Sequence, residues 1–371
     1  MTTLRRLWLR VHLWLGLVLG LWFVLLGLTG SLLVFYPEID RLLVPAQRVS
    51  AACVAPASLD EALARLRELE PSRTGPWRFE LPREAGIPLI ARYYQPTEKK
   101  GRHFAPLLVT LDPCTLERTS SRLWGETTMT VVYDLHYQLL LDAAGGKAVG
   151  IGGFLLLLSM ASGLVLWWPR NGSWRAALRP QLRRGIARTT WDLHTRSAVY
   201  GLPLLLVLTV TGILLSLPDW LNPLIDRISP LQDTPRPQAL VPGLQTVTPD
   251  AARDRALAEL PGARASWVET PNGNTGTYRV RLWAAGEPSQ RFPHNYVWID
   301  PSTGAVLATQ DVRTRSAGDS LLAWLHPLHN GEAGGVIGRW LAFIGGILPI
   351  VLAVTGWMRW RQKRAPRPTR R

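Results

Sequence analysis

Imidazole is a neutral ligand for transition metals near pH 7, and this chain of 371 residues carries seven histidines. Four of them fall into matched pairs. His12 is followed 18 residues later by Gly30, with Thr29 before it; His194 is followed 18 residues later by Gly212, with Thr211 before it. His136 is followed at +16 and +17 by Gly152-Gly153, at +27 by Gly163 and at +31 by Trp167. His329 has Gly345-Gly346, Gly356 and Trp360 at the same offsets. Gly145 and Gly338 each lie nine residues after their histidine. A single match of this kind is chance, whereas this many in register indicate an internal duplication.

Two equivalent histidines at one depth in a membrane suit bis-axial coordination of a haem iron, and a helix-bundle interior is a common cofactor site. The expected pairs are His12 with His194 and His136 with His329. An iron with two imidazole ligands has no vacant site for oxygen, so two such b-type haems would pass electrons through the membrane. His326 has no histidine counterpart, since Tyr133 stands at the matching position. It is a second candidate for the place of His329, or a group that touches substrate. His103 and His294 read as surface residues. Three histidines near one mouth also suit zinc or copper, but no carboxylate or cysteine spacing completes such a site. Neither GxGxxG nor a Walker sequence occurs, so any reductant is a separate cytoplasmic or membrane donor.

The elements that position these groups are apolar. The chain is 47% hydrophobic and 19% charged, with 17 tryptophans, which excludes disorder, collagen and a disulfide-dense mini-scaffold. Four stretches approach the roughly 20 residues that a bilayer-crossing helix needs: 11–35, 148–168, 198–217 and 336–357. Trp8, Trp14, Trp167, Trp168, Trp220, Trp340, Trp357 and Trp360 cluster near their ends as interfacial anchors do. The formal charge of +15 is confined to three short segments beside the spans, namely 1–11, 169–196 and 359–371. These hold 17 basic residues, among them Arg170, Arg183, Arg184, Arg367, Arg370 and Arg371, against one acid, Asp192. Elsewhere the chain is near neutral. That pattern is the positive-inside signature rather than a nucleic-acid patch, and it places both termini in the cytoplasm.

The division expected is therefore 1–35 (N-terminus and first span), 36–147 (outer), 148–168 (span), 169–197 (basic cytoplasmic loop), 198–217 (span), 218–335 (outer) and 336–371 (span and tail). Both copies enter from the same side, which makes the repeats parallel. The first span starts like a signal peptide, with Arg5 and Arg6 before the apolar run. It is too long for an h-region and no A-x-A site follows directly, so it reads as an uncleaved anchor. Ser50-Ala51-Ala52-Cys53 lies too far beyond that run to act as a lipidation box. Gly16, Gly20, Gly27, Gly30, Gly152, Gly153, Gly345 and Gly346 allow close helix contact or room for a flat ligand.

Each outer segment reads as a small α+β unit. Helical patterns at 58–70 and 250–260 each precede strand-like runs, at 77–81, 89–94 and 107–111 and at 265–269, 277–282 and 296–299. Leu111-Asp112-Pro113 and Ile299-Asp300-Pro301 then mark turns, with another strand expected after each. Cys53 and Cys114 share the first unit and are candidates for a structural disulfide.

His12-Leu13-Trp14-Leu15-Gly16, Leu28-Thr29-Gly30, Asp134-Leu135-His136, Trp191-Asp192-Leu193-His194 and Leu325-His326-Pro327-Leu328-His329-Asn330-Gly331 together resemble the PepSY-associated transmembrane family. The resemblance covers nearly the whole chain. It implies an α-helical membrane protein of the bacterial inner membrane, with four transmembrane helices in two parallel repeats and two periplasmic α+β PepSY-like domains. Some members are similar to ferric-siderophore reductases that bind two haems through membrane histidines. The function implied is reduction of a periplasmic ferric siderophore with release of Fe(II). The rival reading is a non-redox PepSY binding or regulatory protein that holds a peptide or protease. A transporter is disfavoured, because no acidic residue lies in the middle of any span.

Overall fold

The computed structural model describes residues 3–45, 49, 53, 55–169, 172, 174–179 and 185–364. Of the positions singled out above, residues 50–52, Arg170, Arg183, Arg184, Arg367, Arg370 and Arg371 lie outside these. The chain forms two compact units. One comprises Met1–Tyr36, Val132–Asp219 and Leu325–Arg371, the other Pro37–Val131 and Trp220–Trp324.

The first unit is a four-helix bundle of α1 (Thr3–Val34), α5 (Asp142–Trp167), α7 (Ile186–Ser216) and α11 (Gly335–Arg364). All four are long and apolar enough to cross a membrane, and large apolar side chains such as Leu21, Phe154, Val336 and Ile337 point outward from them. With lipid as solvent, a helix meets its own backbone hydrogen-bonding needs, so an outward apolar face is stable there. Each helix runs beyond its apolar window. α7 in particular begins at Ile186, so His194 sits inside a helix and not at its entrance. α1 packs on α11 and α5, and α7 packs on the same two.

Small residues make these contacts close. Gly27 meets the Gly346 backbone, Gly153 meets Ile213, and Gly345 meets Leu204 and Leu208. Gly152 faces the Trp22 ring, while Gly16 faces open space. Most of the span glycines are therefore helix-packing positions, and only Gly30 of those expected to make room for a ligand touches a histidine.

The second unit is one antiparallel sheet of order β4-β3-β2-β1-β5-β6-β7-β8. Its strands are β1 (Trp77–Glu80), β2 (Leu89–Tyr93), β3 (Leu107–Leu111), β4 (Arg118–Leu123), β5 (Arg264–Glu269), β6 (Tyr278–Trp283), β7 (Asn295–Ile299) and β8 (Val306–Gln310). The strands lie where the sequence pattern put them. What differs is their assembly: each outer segment supplies four strands and a helix, but β1 pairs with β5 and fuses the two sets into a single sheet. An unpaired edge strand is a liability, and this junction removes one from each set. Thr270 seals it, accepting from the Trp77 amide through Oγ1 and donating its own amide to the Trp77 carbonyl.

Two helices cover one face of the sheet. α3 (Leu59–Leu69) starts at a capping box between Ser58 and Glu61, and α9 (Pro249–Glu259) starts at Thr248 with proline in its first turn. Their N-termini exchange carboxylates, with the Asp60 amide donating to Asp250 at 2.9 Å and the Asp250 amide to Asp60 at 3.0 Å. Leu63, Leu66, Ala252 and Ala256 pack from these helices on Trp77, Phe79, Val109, Val268, Val280 and Ile299. Full burial of a large apolar side chain of this kind contributes roughly 1.5–3 kcal/mol. Period-2 alternation sends Arg78, Glu80, Trp267 and Arg281 to the opposite face.

Cys53 and Cys114 form a disulfide across 61 residues of chain. Closing a loop of that length restricts the unfolded chain by an amount equivalent to about 4 kcal/mol in the chain-entropy account. Cys114→Ser is expected to lower the thermal midpoint of the sheet unit by several degrees, and reductant should do the same to the unaltered protein but not to the variant. A variant as stable as its parent would show that the bridge constrains nothing.

Candidate functional site

α4 (Thr128–Gln138) leads into α5, and α10 (Ala317–His329) leads into α11. His136 and His329 sit near the C-termini of α4 and α10. The turn after each is tight. A Cβ on Gly145 would fall on the Gln138 carbonyl and one on Gly338 on that of Gly331, which accounts for the glycine nine residues after each histidine. In the first turn Leu139, Leu140 and Asp142 adopt positive φ of 51°, 60° and 56°, a strained conformation for branched side chains. Both turns send the chain straight back into the bundle.

The structure brings His12 together with His194, and His136 together with His329. The ring centres are 6.1 Å apart in each pair, with interplanar angles of 74° and 44°. Four hydroxyl side chains orient the rings. His136 Nδ1 lies 3.1 Å from Thr29 Oγ1 and His329 Nδ1 lies 3.0 Å from Thr211 Oγ1. His12 Nδ1 lies 3.0 Å from Ser162 Oγ, and His194 Nδ1 lies 3.0 Å from Thr355 Oγ1.

These hydroxyls settle the tautomer. Thr29, Ser162, Thr211 and Thr355 each donate to a carbonyl of their own helix, Leu25, Ser159, Val207 and Val351, at 2.6–2.8 Å. With its proton so used, each hydroxyl accepts from the imidazole. His136 and His12 also approach the Leu26 and Ser159 carbonyls at 3.0 and 3.1 Å, and a carbonyl only accepts. Nδ1 therefore carries the proton, and Nε2 keeps its lone pair for a metal. Burial pushes the His136 imidazolium down to about 4, with His329 adding to the effect, and burial lowers His329 as well. Both rings are neutral at pH 7.

A glycine follows every one of these hydroxyls and seats the same ring. A Cβ would stand 2.8 Å from His136 Cε1 at Gly30, 3.0 Å from His12 Cε1 at Gly163, 3.1 Å from His329 Cε1 at Gly212 and 3.2 Å from His194 Cε1 at Gly356. The functional unit is thus a Ser/Thr-Gly dipeptide on one helix serving a histidine on its neighbour, and it occurs four times. Sequence reasoning noted the glycines and the two threonines but missed Ser162 and Thr355. The repeated hydroxyl–glycine dipeptide was the available signal.

His326 does not face His136. Its Nδ1 is 3.3 Å from Asn330 Nδ2, and His329 takes the place opposite His136. His103 is exposed and His294 is half-buried, its amide donating to Glu287 at 2.7 Å. No cluster of three or more His, Cys, Asp or Glu able to hold a metal ion occurs among the described residues. Toward the start of α7 the fully buried Asp192 is held by Arg188 at 3.3 Å and Arg196 at 3.4 Å. The two histidine pairs are far apart, because 18 residues separate His12 from the seat of His136 on α1, about 27 Å of helix. That is close to the roughly 30 Å thickness of a bilayer core.

Four helices long and apolar enough to cross a bilayer, with two histidine pairs among them, are the plan of a membrane protein. The family model described as the PepSY-associated TM region matches residues 9–363, and the chain belongs to that family. No curated protein matches the chain.

Proposed function

We propose that the chain is a dihaem b-type reductase of the bacterial inner membrane that moves electrons outward to a periplasmic ferric siderophore. The observation that carries this reading is the identical 6.1 Å spacing of the two imidazole pairs. Two imidazole nitrogens each about 2 Å from a shared metal ion, with ring centres about 1.1 Å further on, would bring the ring centres to about 6.3 Å, so the spacing of each pair fits a single iron. Among the described residues each pair offers two protein ligands and no third, a donor set that would suit a haem. Such a group would supply one-electron Fe(III)/Fe(II) exchange.

The chain's own residues do the rest. His12 and His194 would hold one haem, and His136 and His329 the other. Thr29, Ser162, Thr211 and Thr355 accept from Nδ1 and so leave Nε2 as the nitrogen with a lone pair for a metal. The arginine-rich segments hold the His12–His194 end in the cytoplasm, where a separate donor delivers electrons. The four-fold recurrence of one dipeptide–histidine arrangement supports two parallel repeats, and the outer strands and helices are then PepSY-like domains joined edge to edge. A siderophore's hard oxygen ligands hold Fe(III) tightly and Fe(II) weakly. One electron therefore frees the metal and leaves the chelator intact.

The deciding experiment is a reduced-minus-oxidised visible spectrum of the detergent-purified protein with a haem-to-protein ratio. Sharp b-type bands at about two haems per chain are expected, with reoxidation on adding a ferric siderophore. A colourless protein from haem-sufficient cells would overturn the reading and leave the binding or regulatory role.

A further inference from the structure

The sheet face opposite α3 and α9 carries more arginines than carboxylates can pair. Glu80 lies 2.8 Å from Arg78 and 2.5 Å from Arg92. Glu269 lies 2.6 Å from Arg279 and 3.9 Å from Arg78. Glu287 accepts from the His294 amide and the Asn295 side chain through Oε1, while its Oε2 is buried without a hydrogen-bond partner and it forms no ion pair with Arg281 among the described residues. Arg281 is left over. Its guanidinium carbon stands 3.9 Å from the Trp267 ring centre and 4.6 Å from that of Tyr296. Its Nε is buried with no hydrogen-bond partner, and among the described residues the guanidinium makes no ion pair.

Glu269 and Glu287 act on Arg281 only at a distance, and a largely buried cation without a direct ion-pair partner is costly. Burial, with Arg78 and Arg279 alongside, pushes the Arg281 guanidinium down to about 9. The Trp267 and Tyr296 rings hold the guanidinium plane through their π faces but offer it no hydrogen-bond acceptor. The side chain is thus positioned, desolvated and unsatisfied, while solvent still reaches part of it. A guanidinium fork matches a carboxylate in bidentate fashion, and the half-buried Tyr296 ring beside it suits an organic ligand better than a compact hydrated ion.

We propose that Arg281, set against Trp267 and Tyr296, anchors a binding site for an anionic, carboxylate-rich ferric chelate. This deepens the reductase reading and rests on it for the identity of the metal; the anion site itself stands on the geometry. The chelate's oxygens accept from the terminal nitrogens of Arg281, whose neighbours Arg78 and Arg279 are already paired with Glu80 and Glu269.

The test uses the full-length purified protein titrated with gallium(III) citrate, a chelate that is not reduced under the assay conditions. Binding is read by calorimetry and by quenching of tryptophan fluorescence. Saturable binding is expected, weaker by about 10- to 100-fold in Arg281→Ala because a charge-assisted contact is lost. Arg281→Lys, which keeps the charge but not the fork, should bind several-fold more weakly and decides the matter if the alanine variant fails to fold. No binding to the parent protein, or equal binding by parent and lysine variant, overturns the proposal. So does equally tight binding of metal-free citrate or inorganic phosphate, which would mark an unselective anion site. The two readings fail separately. A colourless protein that binds the gallium chelate through Arg281 keeps the site and loses the reductase. A two-haem protein that reduces ferric citrate with KM unchanged in Arg281→Ala does the reverse.

Discussion

Alanine in place of His12 or His194 is expected to lower haem content from about two per chain to about one and to abolish reduction of an external ferric chelate by an internal donor. The geometry leaves no substitute ligand. Among the described residues no third His, Cys, Asp or Glu clusters with either pair. His326, the one spare histidine near the other pair, is turned to Asn330 at 3.3 Å. His136→Ala should take away the second haem in the same way, and His326→Ala should leave both in place. The measurement is the pyridine haemochrome content of each purified variant beside its visible spectrum. Full haem content in His12→Ala together with His194→Ala would sink the assignment of that pair, whatever happened at the other.

Gly30→Val is expected to be nearly as damaging without touching a ligand. A Cβ at position 30 would stand 2.8 Å from His136 Cε1, closer than real Cβ atoms come to a ring. The ring cannot slide aside freely, because Nδ1 is tied to Thr29 at 3.1 Å and to the Leu26 carbonyl at 3.0 Å. Overpacking of this kind costs about 1–3 kcal/mol, a loss of about 10- to 100-fold in occupancy of the His136–His329 site. Gly16→Val on the same helix is the control, since nothing lies within 4 Å of a Cβ there. The first variant should lose one haem and stay inserted, and the second should keep both. Equal haem content in the two would show that the glycine does not seat the ring.

Much of this arrangement was legible in the linear order of residues. The four spans follow from hydropathy, because a bilayer demands about 20 apolar residues of any crossing helix. The partners His12–His194 and His136–His329 follow from matched offsets to glycine and tryptophan. The strands of the outer segments follow from alternation and from the Asp-Pro turns. Ser162 and Thr355 were overlooked because serine and threonine are common in spans and carry no signal alone. Their role shows only when each is seen beside a glycine and opposite an imidazole from another helix. The eight span glycines were read as close helix contacts or room for a ligand, and Gly27, Gly152, Gly153, Gly345 and Gly346 prove to be helix contacts while Gly30 meets a histidine.

The sequence by itself determined that this chain spans a membrane and carries two matched pairs of histidines at two depths, since both follow from local composition and from spacing along single helices. The tertiary structure alone decided that the rings of each pair stand 6.1 Å apart with Nδ1 occupied, because tautomer and separation depend on hydroxyls and glycines supplied by neighbouring helices. It alone decided that the outer segments share one sheet through β1 and β5, because strand pairing at an edge is a long-range choice that alternation does not encode. And it alone left Arg281 without an ion pair among the described residues, because which arginine goes unpaired depends on the register of four strands and not on how many charges the chain carries.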